Sequence, residues 1–306
     1  MTEQLKLKLN DSKATRWGAL VIVAFTMMAA YYVNDVVAPL KTMLETDLAW
    51  SSTDFGFFTG GYSFLNVFFL MLIWGGLILD RFGIRFTGKL ATILMVGGTA
   101  LEYYAMTGLA GADATLFGIN EIFGYKTGVF VAFAGYSIFG VGAEVAGITV
   151  SKIIAKWFKG KELATAMGVQ VALARIGSQA GYAVAIPLAR AFGISTPVLL
   201  GLVLLLGGMI AFFIFAVMDK KLDKQMEAAA IAAGTEDEEE KFSFKDVKNI
   251  LVNPGFWLIA LLCVLFYSCV FPFQKFASEL MIIKYGINEN VAGTFAGFPA
   301  LSLIHI

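Results

Sequence analysis

Long apolar stretches separated by short charged gaps set the pattern of this chain. The stretches run over roughly 16–40, 52–79, 86–111, 127–151, 163–190, 195–218 and 254–283, and an eighth begins near 289. Each of the seven reaches the ~20 residues needed to cross the hydrocarbon of a bilayer. Lipid satisfies no backbone N–H or C=O, so every span is predicted to be helical. Many of the 32 glycines fall inside the spans, where small residues let helix backbones approach closely.

The gaps alternate in their density of basic residues. One set carries Lys6, Lys8, Lys13 and Arg16, then Arg81, Arg85 and Lys89, then Lys152, Lys156, Lys159 and Lys161, then Lys220, Lys221, Lys224, Lys241, Lys245 and Lys248. The opposite set holds Lys41, Lys126, Arg190 and Lys284, one per gap. Basic residues gather on the cytoplasmic side of a membrane protein, so the amino terminus is predicted to face the cytoplasm. Residues 219–250 form the longest gap. It has an alanine-rich part, Ala228 to Ala233, followed by Glu236-Asp237-Glu238-Glu239-Glu240. A solvated linker between two bundles is the preferred reading, and a regulatory tail the alternative.

Composition agrees with a membrane chain. Hydrophobic residues make up 58% and charged residues 15%, against about 25% charged in soluble domains. The formal net charge is zero, which implies no nucleic-acid partner. Cys263 and Cys269 lie in one apolar span without histidines at metal spacing and read as packing thiols. No metal, cofactor or catalytic set is predicted. Gly-x-Ser-x-Gly, His-Glu-x-x-His and phosphate-loop patterns are all missing.

Ionisable residues inside spans are expensive and are candidate functional groups by default. Glu144 and Arg175 fall near the middle of spans four and five. A carboxylate and a guanidinium sharing one cavity suit a zwitterion: Glu144 for an ammonium, Arg175 for a carboxylate held bidentately. The alternative is that they pair with each other. Asp35, beside Tyr31, Tyr32 and Asn34, either lines the cavity or caps a kink at Pro39, and Tyr31 is a lesser lining candidate. Glu102 is expected to snorkel to the surface. Lys275 and Glu279, four apart on one helix, are expected to pair with each other, and Pro272 is expected to kink that helix.

The gap Gly76-Leu77-Ile78-Leu79-Asp80-Arg81-Phe82-Gly83-Ile84-Arg85 resembles the loop between helices two and three of the major facilitator superfamily. Its pattern residues here are Gly76, Asp80, Arg81, Gly83 and Arg85. Asp80 is expected to act in a charge clasp between neighbouring helices rather than to touch a solute. Further stretches, among them Gly140-Val141-Gly142-Ala143-Glu144, Trp157 to Glu162, Ala174 to Ser178 and Asn253 to Ile259, are similar to a lysosomal dipeptide-transporter branch of that superfamily and its bacterial relatives.

The resemblance implies an all-α helical bundle: a tail (1–15), a complete six-helix amino-terminal half (16–218), an interdomain loop (219–250) and the first helices of a second half (251–306). It implies alternating access of small zwitterionic or anionic solutes, dipeptides first, moved without a coupling ion. Glu144 and Arg175 match the branch's residues for the two peptide termini. Alternatives are an organic-anion exchanger, a proton symporter or, more distantly, a non-transporting membrane sensor. Many superfamily members carry an arginine where Tyr136 stands, which argues against their style of proton coupling. The tail has no acidic dileucine and the outward gaps no Asn-x-Ser/Thr, so a bacterial inner membrane is expected rather than a lysosome. An accessory subunit is not legible. The last six residues look like sequencing-adapter read-through, so 1–300 is expected to be an amino-terminal fragment and His305 is given no weight.

Overall fold

A computed structural model of the protein describes residues 8–111, 114–233 and 249–302. The acidic run Glu236–Glu240, Lys6, Lys241, Lys245, Lys248 and His305 lie outside the described residues.

The chain is helical where the apolar stretches lie. After a single turn at Leu9–Asp11 come α1 (Lys13–Val36), a second short turn (Ala38–Leu40), α2 (Lys41–Asp47), α3 (Ser52–Phe68) and α4 (Met71–Thr107). Two-residue strands β1 (Glu121–Ile122) and β2 (Tyr125–Lys126) make a hairpin. Then follow α5 (Thr127–Trp157), α6 (Leu163–Phe192), α7 (Thr196–Ala233), α8 (Pro254–Tyr285) and α9 (Glu289–Ser302). Local chemistry sets several boundaries. Ser12 Oγ accepts from Thr15 N–H at the start of α1. Ser51 and Asp54 form a reciprocal capping box on α3. Asn253 caps α8 ahead of Pro254, and left-handed Gly286 ends it.

Two breaks shape the second and third spans. At Leu70 (φ 50) the axes of α3 and α4 turn by 58°, within a stretch expected to be continuous. Just before it, Asn66 Nδ2 donates to Tyr62 O, the carbonyl that Asn66 N–H would use in an uninterrupted helix. The second break is Gly83 (φ 76, ψ 172), a conformation open in practice only to glycine. The chain reverses there. Gly75 and Asp80 run alongside Val145 and Lys152 in the direction of α5, whereas Ala91 and Gly98 run against it beside Gly142 and Gly135. The turn expected between spans two and three is thus a single glycine.

Among the described residues, four helices are long and apolar enough to cross a membrane: Lys13–Asp47, Thr127–Trp157, Thr196–Ala229 and Pro254–Tyr285. The bent pair α3–α4 passes the same test as a pair. α6 is long, but Gln170, Arg175 and Gln179 make it more polar. α7 continues past Asp219 to Ala233, into the stretch expected to be loop.

Glycine seams close the bundle. A Cβ on Gly98 would come within 2.4 Å of Phe139 N, and one on Gly140 within 2.3 Å of Tyr62 O, so α5 lies directly against α4 and α3. One on Gly177 would meet Met28 O at 2.1 Å, so α6 lies against α1. α9 packs on α6 by the same device, with Gly293 against Tyr182 O. The core of Val23, Tyr32, Phe55, Phe58, Tyr136 and Phe139 sits between these seams.

Candidate functional site

The site is built where α1, α3, α5 and α6 converge. Gly140 lets α3 approach α5 closely enough for Tyr62 OH to donate to Glu144 Oε1 at 2.8 Å. Among the described residues no hydrogen bond reaches Glu144 Oε2. From α6, Arg175 stacks its guanidinium on the Tyr31 ring, 5.3 Å from the centroid. Its Nε is buried and has no partner among the described residues. Glu144 and Arg175 are both partly buried, and no ion pair joins them. Tyr31 lies within electrostatic reach of both, of Asp35, and of Tyr267 on α8. The arrangement therefore holds an anion acceptor and a cation acceptor around one aromatic ring, each with unused hydrogen-bonding capacity.

Asp35 is differently occupied. Asn34 Nδ2 donates to Asp35 Oδ1 at 2.9 Å, and Lys275 Nζ lies 3.6 Å from the same oxygen. Lys275 also donates to Asn34 O (2.6 Å) and Tyr136 OH (3.3 Å), and Tyr136 OH donates to Asn34 O. Asp35 belongs to a polar knot joining α1 and α5 to α8.

That knot corrects two expectations. Lys275 and Glu279 do not pair along their helix. Glu279 instead meets Lys41 at 2.5 Å, and Lys41 also binds Glu45. Partners on α1 and α2 offer buried, multiply bonded geometry that an exposed i,i+4 contact does not. Glu102 does not snorkel. It is fully buried at the α4–α5 seam, and neither carboxylate oxygen has a partner.

The loop residues form a separate cluster. Asp80 meets Lys152 of α5 at 2.9 Å. Gly76 borders open space, and Arg81 lies over the Phe82 ring. Arg85 reaches α7, at 3.4 Å from Asp219 Oδ2 and 2.5 Å from Asp223 Oδ2. Fully buried Asp219 also accepts from Lys156 Nζ (2.8 Å) and Trp157 Nε1 (3.0 Å). Nearby, Glu162 takes Arg16 at 2.8 Å, and Asp11 takes Lys161 at 2.7 Å. These bonds hold both carboxyls below their ordinary range.

Sequence reasoning missed Tyr62 and Asp219. A tyrosine inside an apolar span needs a partner for its hydroxyl, which is the signal for Tyr62. Asp219 and Asp223, four apart, mark one helix face pointing at basic residues. The shallow apolar groove along Phe273, Phe276 and Ile283 of α8 lies away from Glu144 and Arg175.

The family model described as Major Facilitator Superfamily matches residues 20–305. Curated relatives include the lysosomal dipeptide transporter MFSD1 of Homo sapiens, 27% identical over 293 residues, covering 91% of this chain and 57% of that one. The Pongo abelii protein of the same name is 27% identical over 287 residues, covering 89% and 55%. The chain spans about half the length of the curated relatives it matches. Their names do not favour the bacterial address expected from the tail and loops. Among solved structures, a D-xylose-proton symporter superposes with a TM-score of 0.56 at 14% identity, covering 94% of this chain and 66% of that one, which shows likeness of fold. The all-α bundle with a glycine-turned second loop is accordingly a multi-pass membrane chain, and it belongs to the Major Facilitator Superfamily.

Proposed function

We propose that this chain supplies the solute-binding half of an alternating-access transporter for small zwitterions, dipeptides first. One observation carries the reading: Arg175 stacks on Tyr31 without pairing with Glu144, and among the described residues its buried Nε has no partner. A buried guanidinium donor left open is costly unless a ligand fills it. A peptide carboxylate suits Arg175 bidentately, and its ammonium suits Glu144 Oε2. The names of the relatives, lysosomal dipeptide transporters, support the same class. The work done is binding and exposure to alternate sides, with no bond made or broken. The basic gaps support a cytoplasmic amino terminus.

The test is thermal stabilisation of the full-length protein by dipeptides, single amino acids and dicarboxylates, since ligand bound to the folded state raises apparent stability. Dipeptides are expected to stabilise, and Arg175→Ala to abolish the shift. Stabilisation by monoanions that survives Glu144→Gln would replace this reading with an organic-anion exchanger.

A second reading, proton-coupled transport, is favoured by Glu102. A buried, unpartnered carboxylate in a span is a proton-binding group by default. Transport whose pH dependence is flattened by Glu102→Gln supports coupling; an unchanged profile leaves facilitated movement.

A further inference from the structure

Between α4 and α5 the chain makes two tight turns of the same form, six residues apart. Leu116-Phe117-Gly118-Ile119 is closed by paired backbone bonds of 3.0 Å between Leu116 and Ile119. Ile122-Phe123-Gly124-Tyr125 is the turn of the β1–β2 hairpin. Phe117 (φ 54) and Gly118 (φ 80) match Phe123 (φ 51) and Gly124 (φ 80). Both central residues have positive φ, the geometry of a type I′ turn, whose first position ordinarily takes Asn, Asp or Gly. Phenylalanine there is strained, and the strain serves no core. Phe117 is 95% exposed and Phe123 88% exposed.

The turns are anchored rather than loose. Thr127 Oγ1 donates to Ile119 O at 2.8 Å, Thr127 N–H donates to Asn120 O at 2.9 Å, and Lys126 Nζ bonds Ala49 O. Both phenylalanines are thus presented outward from a fixed base. Between Ala114 and Thr127 the only charged residues are Glu121 and Lys126, which face each other across the hairpin.

We propose that this double turn inserts Phe117 and Phe123 into the adjoining lipid leaflet, as an interfacial anchor at the end of the bundle opposite the amino terminus. Continuity with the side of the bundle identifies the occupant. The Phe123 ring lies 6.0 Å from Phe130, Phe130 lies 6.2 Å from Phe133, and Phe133 stacks on Phe57 at 4.2 Å. Tyr125 of the hairpin stacks on the same Phe57 at 3.9 Å. Phe133 also meets Phe64, which meets Phe68, and both of these are exposed on the side of α3. An unbroken aromatic line thus runs from the bundle's apolar flank to the tip of the turn. Aromatic rings concentrate at the boundary between headgroups and acyl chains, where a nearly uncharged turn is at home.

The test places the photoreactive phenylalanine analogue benzoylphenylalanine at 117, at 123 or, as a control, at Glu121, in the full-length protein in native membranes and in phosphatidylcholine nanodiscs. After illumination, peptides carrying position 117 or 123 are expected to gain the mass of a phospholipid, several-fold more often than those carrying position 121. Cross-linking to another polypeptide in native membranes would overturn the proposal in favour of a protein-docking turn. Equal or negligible lipid adducts at all three positions would overturn it in favour of a turn standing in water. The analogue keeps an aromatic side chain at 117 and 123, so loss of folding does not confound the result.

Discussion

The two ends of the bundle use charge differently. At the end bearing the amino terminus, the pairs stay within the chain up to α7: Arg85 and Lys156 with Asp219 and Asp223, Lys152 with Asp80, Arg16 with Glu162, Lys161 with Asp11. At the opposite end, pairs cross to α8 and α9: Lys275 with Asp35, Glu279 with Lys41, Glu289 with Arg190. Uncharged bonds cross there too, Tyr182 OH to Gln274 O and Gln179 Nε2 to Thr294 O. The first set joins α4, α5 and α7 and ties α1 to the start of α6, and together with the glycine seams it makes six spans one body. The second set fastens that body to the helices that follow, and it must break if the two are to rock apart. The same residue types therefore brace the first seven helices at one end and fasten the following helices to them at the other.

The sharpest way to break the contrast is at Asp219. It is fully buried and serves three donors. Asp219→Asn leaves Arg85 and Lys156 short of a counter-charge, and removing one partner of a buried ion pair costs about 3 kcal/mol or more. The full-length protein in detergent should show a clearly lowered melting temperature. Its far-end accessibility should stay unchanged. A mutant as stable as the parent would mean that the near-end cluster does not rigidify the six spans.

The second prediction probes the seal. Lys275→Met removes bonds to Asn34 O and Tyr136 OH and the pair with Asp35, at about 2 kcal/mol for charge-assisted bonds. That energy should appear mainly as a shift in conformational population. Ser278, buried on the next turn of α8, is a reporter. With exposed Cys263 and Cys269 replaced by alanine, Ser278→Cys should react several-fold faster with a membrane-impermeant maleimide once Lys275 is Met. Equal rates would show that the knot does not seal that end.

The middle of the bundle belongs to neither end, and Tyr62 tests that. Tyr62→Phe removes one hydrogen bond to Glu144, worth about 1 kcal/mol or roughly fivefold in binding. Dipeptide affinity should fall by that factor, while melting temperature and Ser278→Cys labelling stay near parental values. A change in labelling comparable to that of Lys275→Met would merge site and seal into one network.

The sequence made one class of feature legible and hid another. Spans could be read because twenty apolar residues have one stable form in lipid. Gly83 could be read because its backbone conformation excludes other residues. Glu144 and Arg175 could be put near the middle of α5 and α6 by counting. Partners could not be counted. Lys275 and Glu279 looked like a local pair because spacing along one helix is all that a sequence displays, whereas α1 supplies an acceptor for Lys275 and α2 a donor for Glu279 from some 240 positions away. Glu102 looked like a surface residue because its burial depends on Gly98 and Gly135 bringing α4 against α5. Asp219 looked like the start of a loop because charge ended the apolar run. Yet Lys, Leu, Gln, Met, Glu and Ala beyond it are good helix formers, and α7 continues.

The weakest expected effect concerns the rim of the near end, where charge lies close to water. The hydrogen bond from Arg16 lowers the Glu162 carboxyl, and the one from Lys161 lowers that of Asp11. A carboxyl lowered on folding contributes stability that is whole above its unfolded pKa and is lost as pH falls through the lower, folded one. Both contributions should hold at neutral pH and fade only below the ordinary carboxylate range. Exposure to solvent keeps them small. Glu162→Gln should therefore reduce melting temperature slightly at pH 7 and less as the medium is acidified toward pH 3, the two curves converging from above. If Glu162→Gln instead altered Ser278→Cys labelling at neutral pH, the rim would be part of the seal, and the division of labour between the two ends would fail.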